Sequence, residues 1–392
     1  MRRTLALLLS TATAAAAAPE TADFRACLPG LRAAAIAQGI RAQTFDSVTA
    51  ALEPDQTVLE AAENQPEFKT PIWDYLAALV DDERIADGRA RLAEQDAVLA
   101  KAEAQYGVDR HTIVAIWGVE SDYGRLTGKR QLVRSLATLS CAGRRQAYFR
   151  TEFISTLRIV QAGDIDPASL VGSWAGAFGH TQFMPSTFLR LAVDFDGDGR
   201  RDIVGSVPDV IGSTANYLSR AGWISGAPWG YEVRVPAGYA GVSGRRNRQA
   251  MAAWRAAGIR RADGGALPES GSAALLMPAG ASGPVFLVFR NFDAIFSYNA
   301  AESYALVIAH LSDRLRGGAP FSVAWPTQDR GLSRAERRGV QAALIALGYD
   351  IGAPDGAIGP RSQAAIKDVE AKAGWPATGR AGGKLYALLL RR

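Results

Sequence analysis

VDRHTIVAIWGVESDYGRLTGKRQLVRSLATL runs from Val108 to Leu139. Ile113, Ile116 and Trp117, with Val114 beside them, recur at helical spacing and predict a mostly buried helix. Asp109 stands just ahead of the run, where its carboxylate can accept from free amides of the first turn. Gly124 is the expected stop, because glycine tolerates the left-handed conformation of a C-cap. Glu120 falls in the last turns. Burial disfavours the charged form of a carboxyl and raises its pKa, and a carboxyl protonated near neutral pH can serve as a general acid. A solvated acid at a helix end fits the same residue, so the rest of the chain has to decide.

The chain has 392 residues, of which 48% are hydrophobic and 21% charged, enough for two or three domains with sizeable cores. Residues 1–18 pair two arginines with a short apolar stretch and small residues, the pattern of a cleaved export signal. No cysteine follows that stretch directly, so the expectation is a periplasmic, soluble protein without a lipid anchor or membrane span. Removing Arg2 and Arg3 from the formal charge of +5 leaves +3. That is mild enough to suit an anionic wall and too small for a nucleic-acid groove. Cys27 and Cys141 are the two cysteines. In an oxidising compartment they allow one bridge, and two buried thiols are the other reading.

Helical patterns are expected at Phe24–Gly39 (interrupted near Pro29), Asp46–Leu52, Asp81–Tyr106, Gln131–Leu139 and Arg144–Ala162, with an irregular Glu53–Tyr75. GSWAGAFGHTQFMPS (Gly172–Ser186) then breaks the pattern with glycines and aromatics, which suit either close backbone approach to a ligand or a tightly packed turn. Asp194, Asp196 and Asp198 alternate, and Gly199 stands sixth, as in a loop that curls around a hard cation. Gly205 occupies the usual place of a closing glutamate, so Asp209 is the candidate to close a structural calcium site. An acidic turn without metal is the alternative. Val210–Arg220 is helical. Residues 229–292 hold short strands (Tyr231–Val235, Val285–Arg290) and a helix (Arg248–Ala257), and Asp293–Arg316 is helical again. Residues 317–331 have a linker's composition. Residues 332–392 should form a three-helix domain, opened by a capping box of Ser333 and Glu336.

These blocks resemble the lytic murein transglycosylase B family, a lysozyme-like group that cuts peptidoglycan. The resemblance covers roughly residues 22–316. It implies a mainly α (α+β) fold: a lysozyme-like core with a helical N-terminal part and a small β-containing insertion. GVESDYGR assigns the catalytic role to Glu120. The glycine-rich block implies Ser173 and Gln182 as polar cleft residues, with Phe183 and Met184 lining the cleft. His180 departs from the aromatic residue usual there. VDFDGDGRRDI resembles the family's calcium loop and implies Asp194, Asp196, Asp198, the Arg200 carbonyl and Asp209 as ligands, with Tyr217 on the helix behind. FSYNAAESYALVIAHLSDRL implies Tyr298, Asn299 and Tyr304. DGAIGPRS (Asp355–Ser362) resembles the turn of the type 1 peptidoglycan-binding module. The implied activity is cleavage of the MurNAc–GlcNAc bond with 1,6-anhydro ends, no cofactor in the chemistry, and glycan strands as partner, with other cell-wall enzymes as candidates. A hydrolytic muramidase and a non-catalytic wall-binding protein stay open as alternatives.

Overall fold

The computed structural model describes residues 21–63 and 70–390. The expected export signal lies outside the described residues. So does part of the irregular Glu53–Tyr75 stretch, whose described portions hold the helices Gln56–Glu63 and Ile72–Leu79.

One core gathers the N-terminal helices, the Arg110–Ser121 helix that carries Glu120, and the Glu302–Leu315 helix. The Glu120 helix is buried along nearly its whole length, from Thr112 to Gly118, because its apolar residues circle it rather than forming one stripe. The Thr21–Ala37 helix runs through Pro29 unbroken. Proline removes one hydrogen bond, but Phe24, Leu31 and Ala35 are buried on either side and hold the helix in place. A Cys27–Cys141 disulfide also ties this helix to the end of the Leu132–Cys141 helix. The expected single helix over Asp81–Tyr106 is two helices, Asp82–Glu94 and Asp96–Tyr106. Gln95 leaves helical geometry between them (φ −105°, ψ 21°).

The insertion is a five-stranded antiparallel sheet: Gly230–Arg234, Arg248–Ala250, Arg260–Arg261, Ser272–Leu276 and Val285–Val288. Trp254 and Met251 bury against one face in a small core of their own. The expected helix at Arg248–Ala257 begins only at Met251, because Arg248–Ala250 pairs with Ser272–Ala274 as an edge strand. After the sheet, Ala300 in left-handed geometry (φ 50°) splits the expected helix into Arg290–Asn299 and Glu302–Leu315.

Residues 317–331 are irregular, yet they lie on the core. Phe321 stacks on His310 at 3.8 Å, and Glu232 accepts from the Ser322 and Val323 amides at 2.8 and 2.9 Å. The Arg334–Ala346, Pro360–Lys372 and Gly383–Leu390 helices close around Val340, Leu344 and Ile366 as a separate core. Ser333 and Glu336 form the reciprocal capping box.

Candidate active site

Asp109 accepts from the Thr112 amide at 3.0 Å and starts the Glu120 helix. The helix ends at Ser121, earlier than Gly124, since Asp122 (φ 50°) and Tyr123 (φ 59°) already turn left-handed. Glu120 therefore sits in the last turn, half-buried. Tyr304 donates to its Oε1 at 2.5 Å. Burial pushes the Glu120 carboxyl up to about 7, while the Tyr304 hydroxyl works in the opposite direction.

Four rings run on from Tyr304. Tyr304 stacks near-parallel on Tyr298 at 6.3 Å, Tyr298 meets Tyr217 at 4.6 Å, and Phe183 lies 5.8 Å from both Tyr217 and Tyr298. Three segments far apart in sequence thus meet in one ring cluster, which touches Glu120 through Tyr304. Burial, and then the Glu120 charge, raise Tyr298 and Tyr304 well above the ordinary tyrosine range, so both remain hydroxyl donors. Tyr298 donates to the Thr181 carbonyl at 2.8 Å, and Tyr217 to the Ser297 carbonyl at 2.7 Å.

The glycine-rich segment folds under this cluster. Ser173 Oγ accepts from the Ala177 amide at 3.1 Å, and the Phe178 amide donates to the Phe183 carbonyl at 3.0 Å. Gln182 is left-handed (φ 50°), and its Nε2 donates to the Gly179 and Thr127 carbonyls at 2.8 and 3.1 Å. Phe183 is buried, whereas Met184 is half-buried at the start of the Pro185–Leu191 helix. Asn299 is exposed at the end of its helix.

His180 joins this segment to the Glu120 helix. It stacks on Trp117 and accepts from the indole Nε1 at 3.2 Å, and its carbonyl accepts from Ser121 Oγ at 2.8 Å. A side chain at Gly124 would run into the His180 ring, so glycine is required there for contact as well as for its φ of 87°. Burial lowers the His180 pKa, which keeps the ring neutral and able to accept from Trp117. In the sequence His180 is legible only as a departure from the family's pattern, and nothing marks Ser121.

The His180 amide donates to the Ile203 carbonyl at 2.9 Å, within the acidic loop. There Asp194, Asp196 and Asp209 each bring a carboxylate oxygen within 4.8 Å of the others. Asp198 is outside that trio and accepts from the Arg200 amide at 2.8 Å. The Arg200 side chain turns away to the Asp164 carbonyl. Asp209 is fully buried and accepts from the Phe195 and Asp202 amides, both at 2.6 Å. Burial raises its pKa, and Asp196 nearby adds to the effect. A donor set made only of oxygens, one of them a buried carboxylate, fits a hard cation.

Asp122 is the nearest further acid in sequence. Burial opposes its ionisation, but Arg125 (2.9 Å), Arg334 (2.6 Å) and Arg84 (3.5 Å) hold its carboxyl below the usual range. It is an ion-pair partner, not a proton reservoir. A large concavity lined by Asp109, Trp229, His310 and Phe321 lies at the start of the Glu120 helix and does not include Glu120.

The site brings a carboxyl of raised pKa against a tyrosine on a mostly helical scaffold, and the comparisons with known proteins give the class. Residues 23–313 match the transglycosylase SLT domain, and residues 333–389 match a putative peptidoglycan binding domain. Membrane-bound lytic murein transglycosylase B of Escherichia coli (strain K12) is 32% identical over 251 residues, 60% of this chain and 65% of that protein. The match thus spans just under two thirds of that relative's length. SltB3 from Pseudomonas aeruginosa, solved with NAG-anhNAM-pentapeptide, is 44% identical with a TM-score of 0.76, over 94% of this chain and 99% of that one. Escherichia coli Slt35, solved in complex with calcium, is 29% identical with a TM-score of 0.66, over 74% of this chain and 92% of that one. The chain belongs to the SLT family of lytic transglycosylases, lyases of peptidoglycan, and carries a peptidoglycan-binding domain at its C-terminal end. Among the described residues no helix is long and apolar enough to cross a membrane.

Proposed function

We propose that the chain cleaves the MurNAc–β-1,4–GlcNAc bond of peptidoglycan in the periplasm, with Glu120 acting first as acid and then as base. The observation that carries this is the lone Glu120 carboxyl, raised to about 7 and bonded to Tyr304. Protonated Glu120 gives its proton to the glycosidic oxygen, and GlcNAc leaves with a free C4 hydroxyl. The MurNAc N-acetyl oxygen stabilises the electron-poor C1, a task that a second carboxylate performs in two-acid glycosidases. Ionised Glu120 then takes the proton of the MurNAc C6 hydroxyl, whose oxygen bonds to C1 and closes the 1,6-anhydro ring. The proton count returns to its start and no water is consumed. Ser173, Gln182, Met184, Tyr217, Tyr298 and Asn299 form the surrounding cleft over the buried Phe183, and the partly exposed Tyr217 and Tyr298 offer faces to sugar rings. SltB3 was solved with NAG-anhNAM-pentapeptide, which supports this product class here. Purified sacculi incubated with the protein should release muropeptides with anhydro ends. Reducing ends alone would favour the muramidase reading, and binding without release would favour a non-catalytic wall protein.

Glu120 sets the alkaline limit of the reaction, and Tyr304 lowers it. The Tyr304 hydroxyl favours ionised Glu120, so Tyr304→Phe should move the alkaline limb of the kcat/KM profile upward. The same change leaves the carboxylate without its donor after proton transfer, which should lower kcat about tenfold, or about 1.4 kcal/mol. An unchanged limb and an unchanged kcat would remove Tyr304 from the mechanism.

Asp194, Asp196 and Asp209, with Asp198 and the Arg200 carbonyl completing the set, would hold a structural calcium. The ion would neutralise three converging carboxylates and fix the loop on which His180 rests. It has no step in the bond cleavage. Slt35 was solved with calcium, in line with this reading. Chelator-treated protein should melt at lower temperature, and calcium at a hundred times its Kd should restore about 2.7 kcal/mol. Asp196→Ala should abolish that response. Identical melting with chelator and with calcium would count against the site.

A further inference from the structure

The turn that follows Glu120 is closed by an arginine from the wall-binding domain. Asp122 and Tyr123 are consecutive non-glycine residues in left-handed geometry, a costly arrangement that needs support from its surroundings. Tyr123 is held by its hydroxyl, which donates to the Arg84 carbonyl at 2.8 Å, and by glycine at position 118, where a Cβ would lie 2.6 Å from its ring. Asp122 is held by charge, and its shortest partner is Arg334 at 2.6 Å, 212 residues away. Arg334 is the first residue of the Arg334–Ala346 helix. Asp81 pins that helix start: its Oδ1 accepts from the Arg84 amide at 2.8 Å and its Oδ2 from the Arg334 amide at 2.9 Å. One buried carboxylate therefore caps a helix in each domain. Arg84, positioned by that cap, donates to the Gly118 carbonyl at 3.0 Å, two residues before Glu120. Further out, Arg338 pairs with Glu83, and Arg380 pairs with Asp74 at 2.6 Å through two nitrogens.

We propose that Arg334 is a positioning residue for Glu120, so that the C-terminal domain completes the active site as well as tethering the enzyme. The inference rests on the assignment of Glu120 as the acid. Simple tethering raises local concentration and has no effect on a soluble substrate that the domain need not hold. A misplaced acid, in contrast, lowers kcat on every substrate.

The test uses the full chain and short soluble GlcNAc–MurNAc oligosaccharides. Arg334→Gln should lower kcat by about ten- to a hundredfold with KM changed less than about twofold. Its binding to sacculi in a sedimentation assay should be unchanged. Asp122→Asn should show the same split, and the double variant should be no worse than the poorer single one, since both remove one interaction. Arg338→Gln breaks the neighbouring Glu83 pair and leaves Asp122 intact, so it should keep kcat. If near-ultraviolet circular dichroism shows Arg334→Gln to be misfolded, Asp122→Asn carries the test alone. Wild-type kcat in the folded variant, or an equal loss in Arg338→Gln, overturns the proposal. Glu120→Gln is measured alongside. If it is inert while Arg334→Gln keeps full kcat, only the positioning role fails; if it is active, the acid assignment itself fails.

Discussion

Glu120→Gln should bind sacculi as tightly as the unaltered chain and release muropeptides at less than about a thousandth of its rate. General acid–base catalysis contributes about 10²–10⁴-fold for one proton transfer, and here one carboxyl performs both transfers. Glutamine keeps the volume and an oxygen for the Tyr304 hydroxyl to meet, but it neither gives nor takes the proton. Retention of more than a few per cent of the activity would end the assignment. The same substitution has a second readout in stability. The folded carboxyl titrates near 7 and the ordinary value is 4.5, so the folded state binds this proton more tightly than the unfolded chain does. Ionisation therefore costs stability progressively as pH rises from about 4.5 to 7, with no cost below that window. The shift corresponds to about 3 kcal/mol, and the partial exposure of Glu120 reduces it to about 2. Above pH 7, Glu120→Gln should be the more stable protein by about that amount, and below about pH 4 the two should match. A variant less stable at every pH would show that Glu120 is a structural residue.

Loss of the Cys27–Cys141 disulfide should be the largest single stability change away from the site. The bridge spans 114 residues. Closing a loop of about 100 residues restricts the unfolded chain by up to about 4.7 kcal/mol, and measured effects fall below that figure, so about 3 to 4 kcal/mol is expected here. The Thr21–Ala37 helix is held by this tie, by its buried Phe24, Leu31 and Ala35, and by the Arg25–Glu53 and Arg32–Asp46 pairs, so it is the part that loss of the bridge should loosen first. Cys27→Ala/Cys141→Ala, followed by denaturant unfolding of the catalytic region, checks this. A loss below about 1 kcal/mol would mean that packing alone holds the helix. Reductant should reproduce the double variant in the unaltered chain and do nothing further to the variant.

Features written in local sequence were legible from it. Asp109 before an apolar run and Ser333 three residues before Glu336 each act within a few residues, and each stands in the structure in that form, whereas of the alternating aspartates only Asp194 and Asp196 converge, with the distant Asp209. The Tyr304–Glu120 bond joins positions 184 residues apart, and only the resemblance brought both residues to one cleft. Features fixed by distant partners were not legible. The Glu120 helix stops at Ser121 and not near Gly124 because Arg84 and Arg334 stabilise a left-handed Asp122. His180 looked like a substitution in a sugar cleft, whereas its ring and carbonyl bind Trp117 and Ser121. Residues 317–331 read as a spacer because periodicity is absent, and nothing nearby in sequence announces that Phe321 has His310 to stack on.

The most direct test of the single-carboxyl mechanism is a sacculus digest in ¹⁸O-enriched water, followed by mass analysis of the new glycan ends. Ring closure by the C6 hydroxyl predicts ends lighter than a hydrolysed end by one water and free of heavy oxygen. Ends that carry one ¹⁸O at C1 would show that water attacked, and would contradict the role of Glu120 as acid and then base toward the substrate's own hydroxyl.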